Sequence, residues 1–239
     1  MNTFSNLTRL AACALMALGT TLAHASTDLA SAQRSGDVAL QGTSLFLSTA
    51  TPDGLDDEPD AAGAFNLSGV APLYAGGDLE LAAGLQAGEL DNPSLDRFAY
   101  EGSAATFSLS VLAGDTIDID WEFFTRPQSG PLPAADGAWL LWQSGSQRQL
   151  IELANALDTP LSSAPGGWQT SGIGRQTLTA QESGNATLSL VVADVNGIDG
   201  SSQLAIHQIS QTPAVPEPAT WLLLLGGLGL MGFMQRNKV

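Results

Sequence analysis

The sequence predicts an all-β fold, a two-sheet jelly-roll-like sandwich, on three grounds. The clearest hydrophobic alternations have a period of two residues, the period of a strand that buries one face. Glycine (26) and proline (12) recur along the 239 residues, which is typical of short strands joined by turns. Strands that each bury one alternating face need a second sheet to cover that face.

Taken in chain order, residues 38–48 and 78–83 are predicted as weaker strands. A hairpin in the middle of the chain is the strongest prediction. Residues 106–111 alternate Phe, Leu and Val with serine, and residues 116–124 alternate apolar residues with acidic ones. The intervening Ala-Gly-Asp at 113–115 is typical of a turn, so the two strands are expected to pair.

The second half of the body continues this pattern. Residues 138–143 contain Trp-Leu-Leu-Trp, which predicts a strand buried on both faces. Residues 151–157 are predicted as a single short helix. Further strands are predicted at residues 170–179, 186–193 and 203–209.

Charge and length limit the possible functions. The chain has 24 acidic and 8 basic residues and a formal net charge of −16, which repels nucleic acid and excludes it as a partner. The same charge attracts divalent cations. Residues 26–210 are long enough for one well-buried core, so a single domain is predicted there.

The N-terminus is predicted to be a signal peptide spanning residues 1–25. Arg9 precedes an apolar run, and Ala23 and Ala25 are the small residues that signal peptidase reads, so cleavage is expected after Ala25. Cys13 lies in a sequence similar to a lipoprotein box, but most of the apolar run follows it instead of preceding it. If Cys13 leaves with the signal peptide, the mature chain has no cysteine for a disulfide or a thiol site.

The C-terminus combines three features in a fixed order. A linker at residues 211–218 ends in Pro-Glu-Pro, an uncharged stretch follows at 219–234, and residues 235–239 are basic. The uncharged stretch predicts a transmembrane helix of only about 24 Å, against a hydrocarbon core of roughly 30 Å. A helix that is inserted and later removed and a permanent single-span anchor are both compatible with that length.

This tail resembles the PEP-CTERM signal that the exosortase system of Gram-negative bacteria recognises. The resemblance implies a processing enzyme of the exosortase type, export through the inner membrane, transient anchoring and final delivery to the cell surface or beyond. Prolines disfavour helix in the residues before them, so the motif should stay extended for the enzyme. The residues expected to be read are Pro216, Glu217, Pro218, Arg236 and Lys238.

The body also resembles a β-sandwich domain found in exported PEP-CTERM proteins, which is similar to carbohydrate-binding jelly rolls and has no established ligand. Five short segments appear in the corresponding order. They are Gly63-Ala-Phe-Asn-Leu-Ser-Gly69, Ala99-Tyr-Glu-Gly-Ser-Ala104, Ala113-Gly-Asp-Thr116 with Asp120-Trp-Glu-Phe123, Gly167-Trp-Gln-Thr170 and Val192-Ala-Asp-Val195.

Three groups of acidic residues are candidates for a structural Ca²⁺, since this cation takes six to eight oxygen ligands. Asp194, Asn196 and Asp199 alternate with glycines, although their spacing departs from an EF-hand and a plain Asn-Gly turn is the alternative. Residues 53–60 hold five carboxylates, which an acidic surface loop also explains. The acidic row of residues 118–122 is either a ligand-facing ladder or an ordinary solvated face.

Trp139, Trp142 and Trp168 are candidates for a sugar-stacking platform, with burial in the core as the alternative. Catalysis is not expected. The mature chain has a single histidine, His207, and the sequence has no Gly-x-Ser-x-Gly or His-Glu-x-x-His motif.

The sequence therefore predicts an exported, non-catalytic surface or matrix protein, associated with exopolysaccharide or biofilm. A carbohydrate- or calcium-binding adhesion module is the alternative, and an ice-binding protein ranks third because no regular Thr-x-Thr array appears.

Overall fold

The computed structural model describes residues 25–54, 60–61, 63–126 and 135–214. Their strands form two antiparallel sheets of seven and six strands, as the predicted sandwich requires. In chain order the strands are β1 (Ala25–Ser26), β2 (Gln33–Ser35), β3 (Asp37–Gln41), β4 (Ser44–Ser48), β5 (Leu73–Tyr74), β6 (Ala99–Val111), β7 (Thr116–Thr125), β8 (Gly137–Ser144), β9 (Gln147–Asn155), β10 (Ser162–Ser163), β11 (Gln169–Thr179), β12 (Gly184–Val195) and β13 (Ser202–Thr212).

Sheet I has the strand order β10-β11-β7-β13-β4-β3, and β1 also pairs with β13. Sheet II has the order β2-β6-β12-β8-β9, and β5 also pairs with β6. Strands that are distant in sequence lie side by side in both sheets. The compact unit runs from Ala25 to Ala214. The domain predicted from the sequence spans residues 26–210.

The main core lies between the two sheets and is built by the alternation seen in the sequence. Phe107 and Leu109 of β6 and Ile119 and Phe123 of β7 are buried in it. Trp142 of β8 is fully buried in the same core. The inward-facing residues of these strands were therefore predicted correctly.

The pairing of β6 with β7 was predicted wrongly. β6 pairs with β12 in sheet II, whereas β7 pairs with β11 and β13 in sheet I. The four residues between them carry the chain from one sheet to the other, with Gly114 at φ 90°. Alternation indicates which side chains are buried. Two strands show the same alternation whether they pair within one sheet or face each other from two sheets, so the pattern did not reveal the pairing.

A second, outer core covers the other face of sheet II. Trp139 and Leu141 of β8 pack there against Leu79 and Ala83 of helix α1 (Asp78–Ala83). Alternate residues of β8 thus enter different cores, which confirms the prediction that this strand is buried on both faces. The fold consequently has a third layer on sheet II.

Two secondary-structure predictions were wrong. Residues 78–83 form helix α1 because Leu79 and Ala83, four residues apart, face the outer core together, and the Glu80 carboxylate accepts the Gly76 and Gly77 amides at its start. Residues 151–157 do not form a helix: β9 ends at Asn155 and pairs with β8 along its length. That pairing outweighs the helix propensity of the local sequence. Residues 38–48 form the β3–β4 hairpin instead of one strand.

The segment at residues 63–69, which resembles the exported β-sandwich domain, has a structural role. The carboxylate of buried Asp37 accepts hydrogen bonds from the backbone amides of Leu67 and Ser68 and from the Ser68 hydroxyl, at 2.6–3.0 Å. Burial raises the pKa of Asp37, although these hydrogen bonds oppose the rise. Asp37 therefore fastens this loop to the edge of sheet I.

None of the helices in the described part of the chain is long and apolar enough to cross a membrane. The helix predicted at residues 219–234 and the basic end at 235–239 lie outside the described residues, as does the signal peptide up to residue 24.

Candidate functional site

The residues predicted to direct sorting lie mostly outside the described part of the chain. These are Ala23 and the tail residues Pro216, Glu217, Pro218, Arg236 and Lys238. Ala25, the last residue of the predicted signal peptide, is in β1 and pairs with Gln211 of β13. The body therefore places the predicted signal cleavage site beside the strand that leads to the tail.

The end of the body is held by Asp115, in the connection between β6 and β7. This buried carboxylate accepts hydrogen bonds from the Ala214 amide at 2.8 Å, the Gln211 side chain at 2.8 Å and the Leu112 amide at 2.9 Å. Burial alone would raise the pKa of Asp115, but these hydrogen bonds hold it below its usual value. Ala214 is thus fixed to the body by a charge-assisted contact.

The three predicted calcium ligands have different surroundings. Asp194 is fully buried in β12, whereas Asp199 is exposed. The Asn196 side-chain oxygen accepts the Phe98 amide at 3.0 Å, and Asn196 has a positive φ of 66°. The turn they flank joins β12 of sheet II to β13 of sheet I. Within the described ranges there is no group of three or more His, Cys, Asp or Glu side chains arranged to hold a metal, and calcium binding at this turn stays a prediction.

The acidic stretch at residues 53–60 lies largely outside the described residues, since 55–59 are among those not described. Asp60 at its end is described and forms an ion pair with Arg126 at 2.6 Å. The negative charge of Asp60 is therefore balanced by Arg126.

The acidic row on β7 lies on the outer face of sheet I, where every member has a partner on a neighbouring strand. Asp120 accepts two hydrogen bonds from Arg175 at 2.6 and 2.9 Å, and Asp118 accepts one from Thr177 at 2.5 Å. Glu122 accepts one from Thr170 at 2.5 Å. These cross-strand pairs are those of an ordinary solvated sheet face.

The same face brings a serine, the histidine and a glutamate together. His207 Nδ1 lies 3.1 Å from the Ser44 hydroxyl, and His207 Nε2 lies 3.4 Å from Glu122 Oε2. His207 sits at a register shift in β13, and Ser44 is a paired residue of the β3–β4 ladder. Sequence reasoning missed this row because Glu122 is 78 residues from Ser44 and 85 residues from His207, and the three residues match no motif.

The three tryptophans predicted as a sugar platform do not lie on one surface. Trp142 is fully buried in the main core, and Trp139 is 8% exposed in the outer core. Trp168 alone of the three is partly exposed, and its ring meets that of Phe65 edge-on at 5.3 Å. Burial in the core, the alternative given for these residues, therefore holds for Trp139 and Trp142, because β8 alternates its residues between two cores.

A concave site on the outer face of sheet II was not predicted from the sequence. We call it the outer pocket, a cavity of about 220 Å³. Its lining residues are Glu89, Leu90, Asp91, Asn92, Arg97, Ala135, Trp139, Leu150, Glu152, Asn155 and Val195. They come from the segment between α1 and β6 and from β8, β9 and the end of β12, so no local motif could reveal them.

The outer pocket has an apolar part and a polar rim. Leu90, Trp139 and Leu150 belong to the outer core or pack against it. On the rim, Asn155 donates a hydrogen bond to Glu152, and Arg97 forms an ion pair with Asp158 at 2.8 Å. The site thus combines apolar surface with fixed polar groups, as ligand pockets commonly do.

The carboxylates of the rim are each anchored through one oxygen. Asp91 Oδ1 accepts the Ala99 amide at 2.9 Å, Glu152 Oε1 accepts from Asn155, and Glu89 Oε2 accepts from Arg148 and from a backbone amide. In the described part of the chain the second oxygen of each accepts no hydrogen bond. The hydrogen bond from Arg148 is the main cause that lowers the pKa of Glu89, so this rim group is ionised at neutral pH.

Comparison with protein families finds that residues 214–238 match the PEP-CTERM protein-sorting motif, which confirms the motif predicted from the tail. No curated protein sequence matches the chain.

Several solved structures show a distant likeness. TmCBM61, solved with β-1,4-galactotriose, is 9% identical with a TM-score of 0.32, covering 81% of this chain and 89% of its own. The 4-O-methyl-α-glucuronidase BtGH115A is 13% identical with a TM-score of 0.28, covering 84% of this chain and 19% of its own. The Agl-KA catalytic domain is 13% identical with a TM-score of 0.31, covering 83% of this chain and 29% of its own. None of these likenesses assigns a ligand to this chain.

Proposed function

Because residues 214–238 are a PEP-CTERM protein-sorting motif, we propose that this chain is an exosortase substrate whose β-sandwich is displayed, without catalysis, at the cell surface or in the extracellular matrix. The sorting motif is the observation that carries the proposal. We further propose that the displayed sandwich associates with exopolysaccharide or biofilm.

The described body supports a role in display. On sheet I, Asp120 pairs with Arg175, and Asp118 and Glu122 accept hydrogen bonds from threonines. The ends of the body are tied to the fold by the pairing of Ser26 with Ser210 and by Asp115. In the Ser44–His207–Glu122 row, Ser44 and Glu122 are paired in sheet ladders and His207 lies at a register shift of β13. A hydrolase also needs hydrogen-bond donors aimed at the developing oxyanion, and we propose none beside this row.

The test is fractionation of the native host that expresses the full chain or a Glu217→Ala variant. The wild type is expected in the outer-surface or culture fraction and the variant in the inner-membrane fraction, because the altered motif is no longer read. A Glu182→Ala variant, which changes an exposed carboxylate outside the motif, is the control and should follow the wild type. Identical distribution of wild type and Glu217→Ala would contradict the proposal.

A second candidate function is adhesion through carbohydrate recognition. The outer pocket favours it, since apolar surface beside fixed carboxylate, amide and guanidinium groups suits a ligand with both C–H and hydroxyl faces. Calorimetry with host exopolysaccharides, with and without Ca²⁺, tests it, and an absence of heat across the panel would count against it. Calcium binding at Asp194, Asn196 and Asp199 would appear in the same titration.

A further inference from the structure

We propose that the outer pocket binds a single uncharged sugar unit, presented at the end of a glycan chain. The proposal rests on the second candidate function, carbohydrate recognition, and assigns it a site and a class of ligand. Four features of the pocket support it: its size, its apolar lining, its unused carboxylate oxygens and its charge.

The size of the pocket suits one sugar ring. Pockets for drug-sized ligands span roughly 300–1,000 Å³. The outer pocket has a volume of about 220 Å³, which is smaller than that range. A cavity of this size accommodates one unit and leaves the rest of a glycan chain outside, so the ligand is a chain end.

The apolar lining offers a small patch for part of the C–H face of the ring, since Trp139 and Leu90 are largely buried in the outer core. Trp139 retains 8% exposure and lines the pocket together with Leu90 and Leu150. The absence of a side chain at Gly137 lets the indole pack closely there, since a Cβ at Gly137 would lie 2.7 Å from the Trp139 ring. An indole packed this firmly binds without first losing rotamer freedom.

The polar rim offers matching groups for hydroxyls. Asp91, Glu152 and Glu89 are each fixed through one carboxylate oxygen and have a second that accepts no hydrogen bond in the described chain. A hydroxyl that donates to such an oxygen makes a charge-assisted bond, about twice as strong as a neutral one. Arg97, which also lines the pocket, supplies donors for ring and hydroxyl oxygens.

The charge of the pocket selects against acidic sugars. Three carboxylates line it against one guanidinium, Arg97, which is already paired with Asp158. Arg148, outside the lining, pairs with Glu89, so both of these arginines are already engaged by carboxylates. The whole chain has a formal net charge of −16. A uronate or a sulfated sugar would bring another negative charge beside these groups without a free cation to meet it, so an uncharged sugar is favoured.

The experiment uses the full-length protein in detergent and saturation-transfer NMR followed by calorimetry. The probes are methyl glycosides of glucose, galactose and mannose, and glucuronate is the acidic counterpart of glucose. We expect at least one methyl glycoside to bind and glucuronate to bind at least tenfold more weakly. Equal or tighter binding of glucuronate would overturn the class of ligand.

Two variants test the site. Glu152→Gln keeps the side-chain oxygen that Asn155 meets but removes the charge, and Trp139→Phe keeps most of the apolar volume. Glu152→Gln should weaken the methyl glycoside about tenfold, the value of one charged hydrogen bond of about 1.5 kcal/mol. Trp139→Phe should weaken it as well, because the smaller ring loses apolar contact with the sugar. Glu182→Gln is the matched control because Glu182 is an exposed carboxylate that does not line the pocket, and it should bind as the wild type does. Circular dichroism checks that each variant is folded.

The possible results distinguish two hypotheses: that the outer pocket is the sugar site, and that the protein recognises carbohydrate at all. Sugar binding that survives both pocket variants but is lost in Trp168→Ala would overturn the pocket and leave carbohydrate recognition in place. No binding of any sugar would overturn both. Neither result changes the fractionation that tests surface display.

Discussion

The Asp115 carboxylate accepts the Ala214 amide at 2.8 Å, and this contact joins the β6–β7 connection to the last described residue of the body. The same carboxylate accepts the Gln211 side chain from β13. The motif match begins at residue 214, so the folded body extends to the first residue of the sorting motif. Asp115 is thus a fixed point at the boundary between body and tail.

We predict that Asp115→Ala destabilises the body by about 2–4 kcal/mol. The variant leaves three donors, from Leu112, Gln211 and Ala214, without their acceptor, and a lost bond to a charged group costs about 1.5–3 kcal/mol. Urea unfolding followed by tryptophan fluorescence measures the change. The control is Arg175→Ala, which breaks an exposed ion pair with Asp120 and should cost under about 1 kcal/mol. Equal losses in the two variants would contradict the role given to Asp115.

The stabilisation by Asp115 should depend on pH. Its pKa is lowered in the folded body from the ordinary value of 3.8, so the charged form stabilises the fold above that value. As pH falls below 3.8 and through the lowered folded pKa, the contribution is lost. The difference in unfolding free energy between wild type and Asp115→Asn should therefore be largest near pH 7 and close in acid. A difference that grows as pH falls would refute this.

Gly102 should not tolerate a side chain. A Cβ there would lie 2.1 Å from the Val192 carbonyl oxygen and 2.8 Å from the Ala193 Cα on the paired strand β12. Backbone atoms cannot move aside as side chains do, so Gly102→Ala is expected to cost about 3 kcal/mol or more. Gly197→Ala, where the nearest atom is 3.9 Å away, is the matched control and should stay within about 1 kcal/mol of wild type. Thermal unfolding of both variants tests the close approach of β6 and β12.

Removing the main-core Trp142 should destabilise the body more than removing the partly exposed Trp168. Trp142→Ala empties a fully buried position and should cost about 3–5 kcal/mol. Trp168→Ala removes a partly exposed ring and should cost clearly less, about 1–2 kcal/mol. Urea midpoints rank the variants, and a larger loss for Trp168 would show that the assignment of core and surface is wrong.

The proposal of a non-catalytic protein predicts that Ser44 is not an activated nucleophile. Its hydroxyl lies 3.1 Å from His207 Nδ1, but both residues are in sheet strands. A fluorophosphonate probe should leave the protein unlabelled, judged by intact mass. Labelling that disappears in Ser44→Ala and in His207→Ala would contradict the proposal and identify a hydrolase.

Much of the sandwich could be predicted from residues that alternate. Phe107, Leu109, Ile119 and Phe123 are buried as their spacing indicated. The sheet to which a strand belongs could not be predicted in the same way, because β6 and β7 have equally regular alternation whether they pair or face each other. The short helix Asp78–Ala83 was missed since six residues hold too little periodicity to distinguish it from a strand.

The sorting motif could be predicted from the sequence, whereas the outer pocket could not. Pro216, Glu217 and Pro218 are consecutive, so a sequence alone reveals them. The pocket joins Asp91, Trp139 and Glu152, which only the folding of β8 and β9 beside the segment before β6 brings together. Sites of this kind follow from long-range pairing and not from local pattern.

Mass spectrometry of the C-terminal peptide of the endogenous protein, with membrane, outer-surface and culture fractions measured separately, decides whether the tail is removed on the way to the cell surface. We expect a terminus near Pro216-Glu217-Pro218 in the surface or culture fraction, with residues 219–239 removed. An intact Val239 found only in the membrane fraction would contradict it and identify the tail as a permanent anchor.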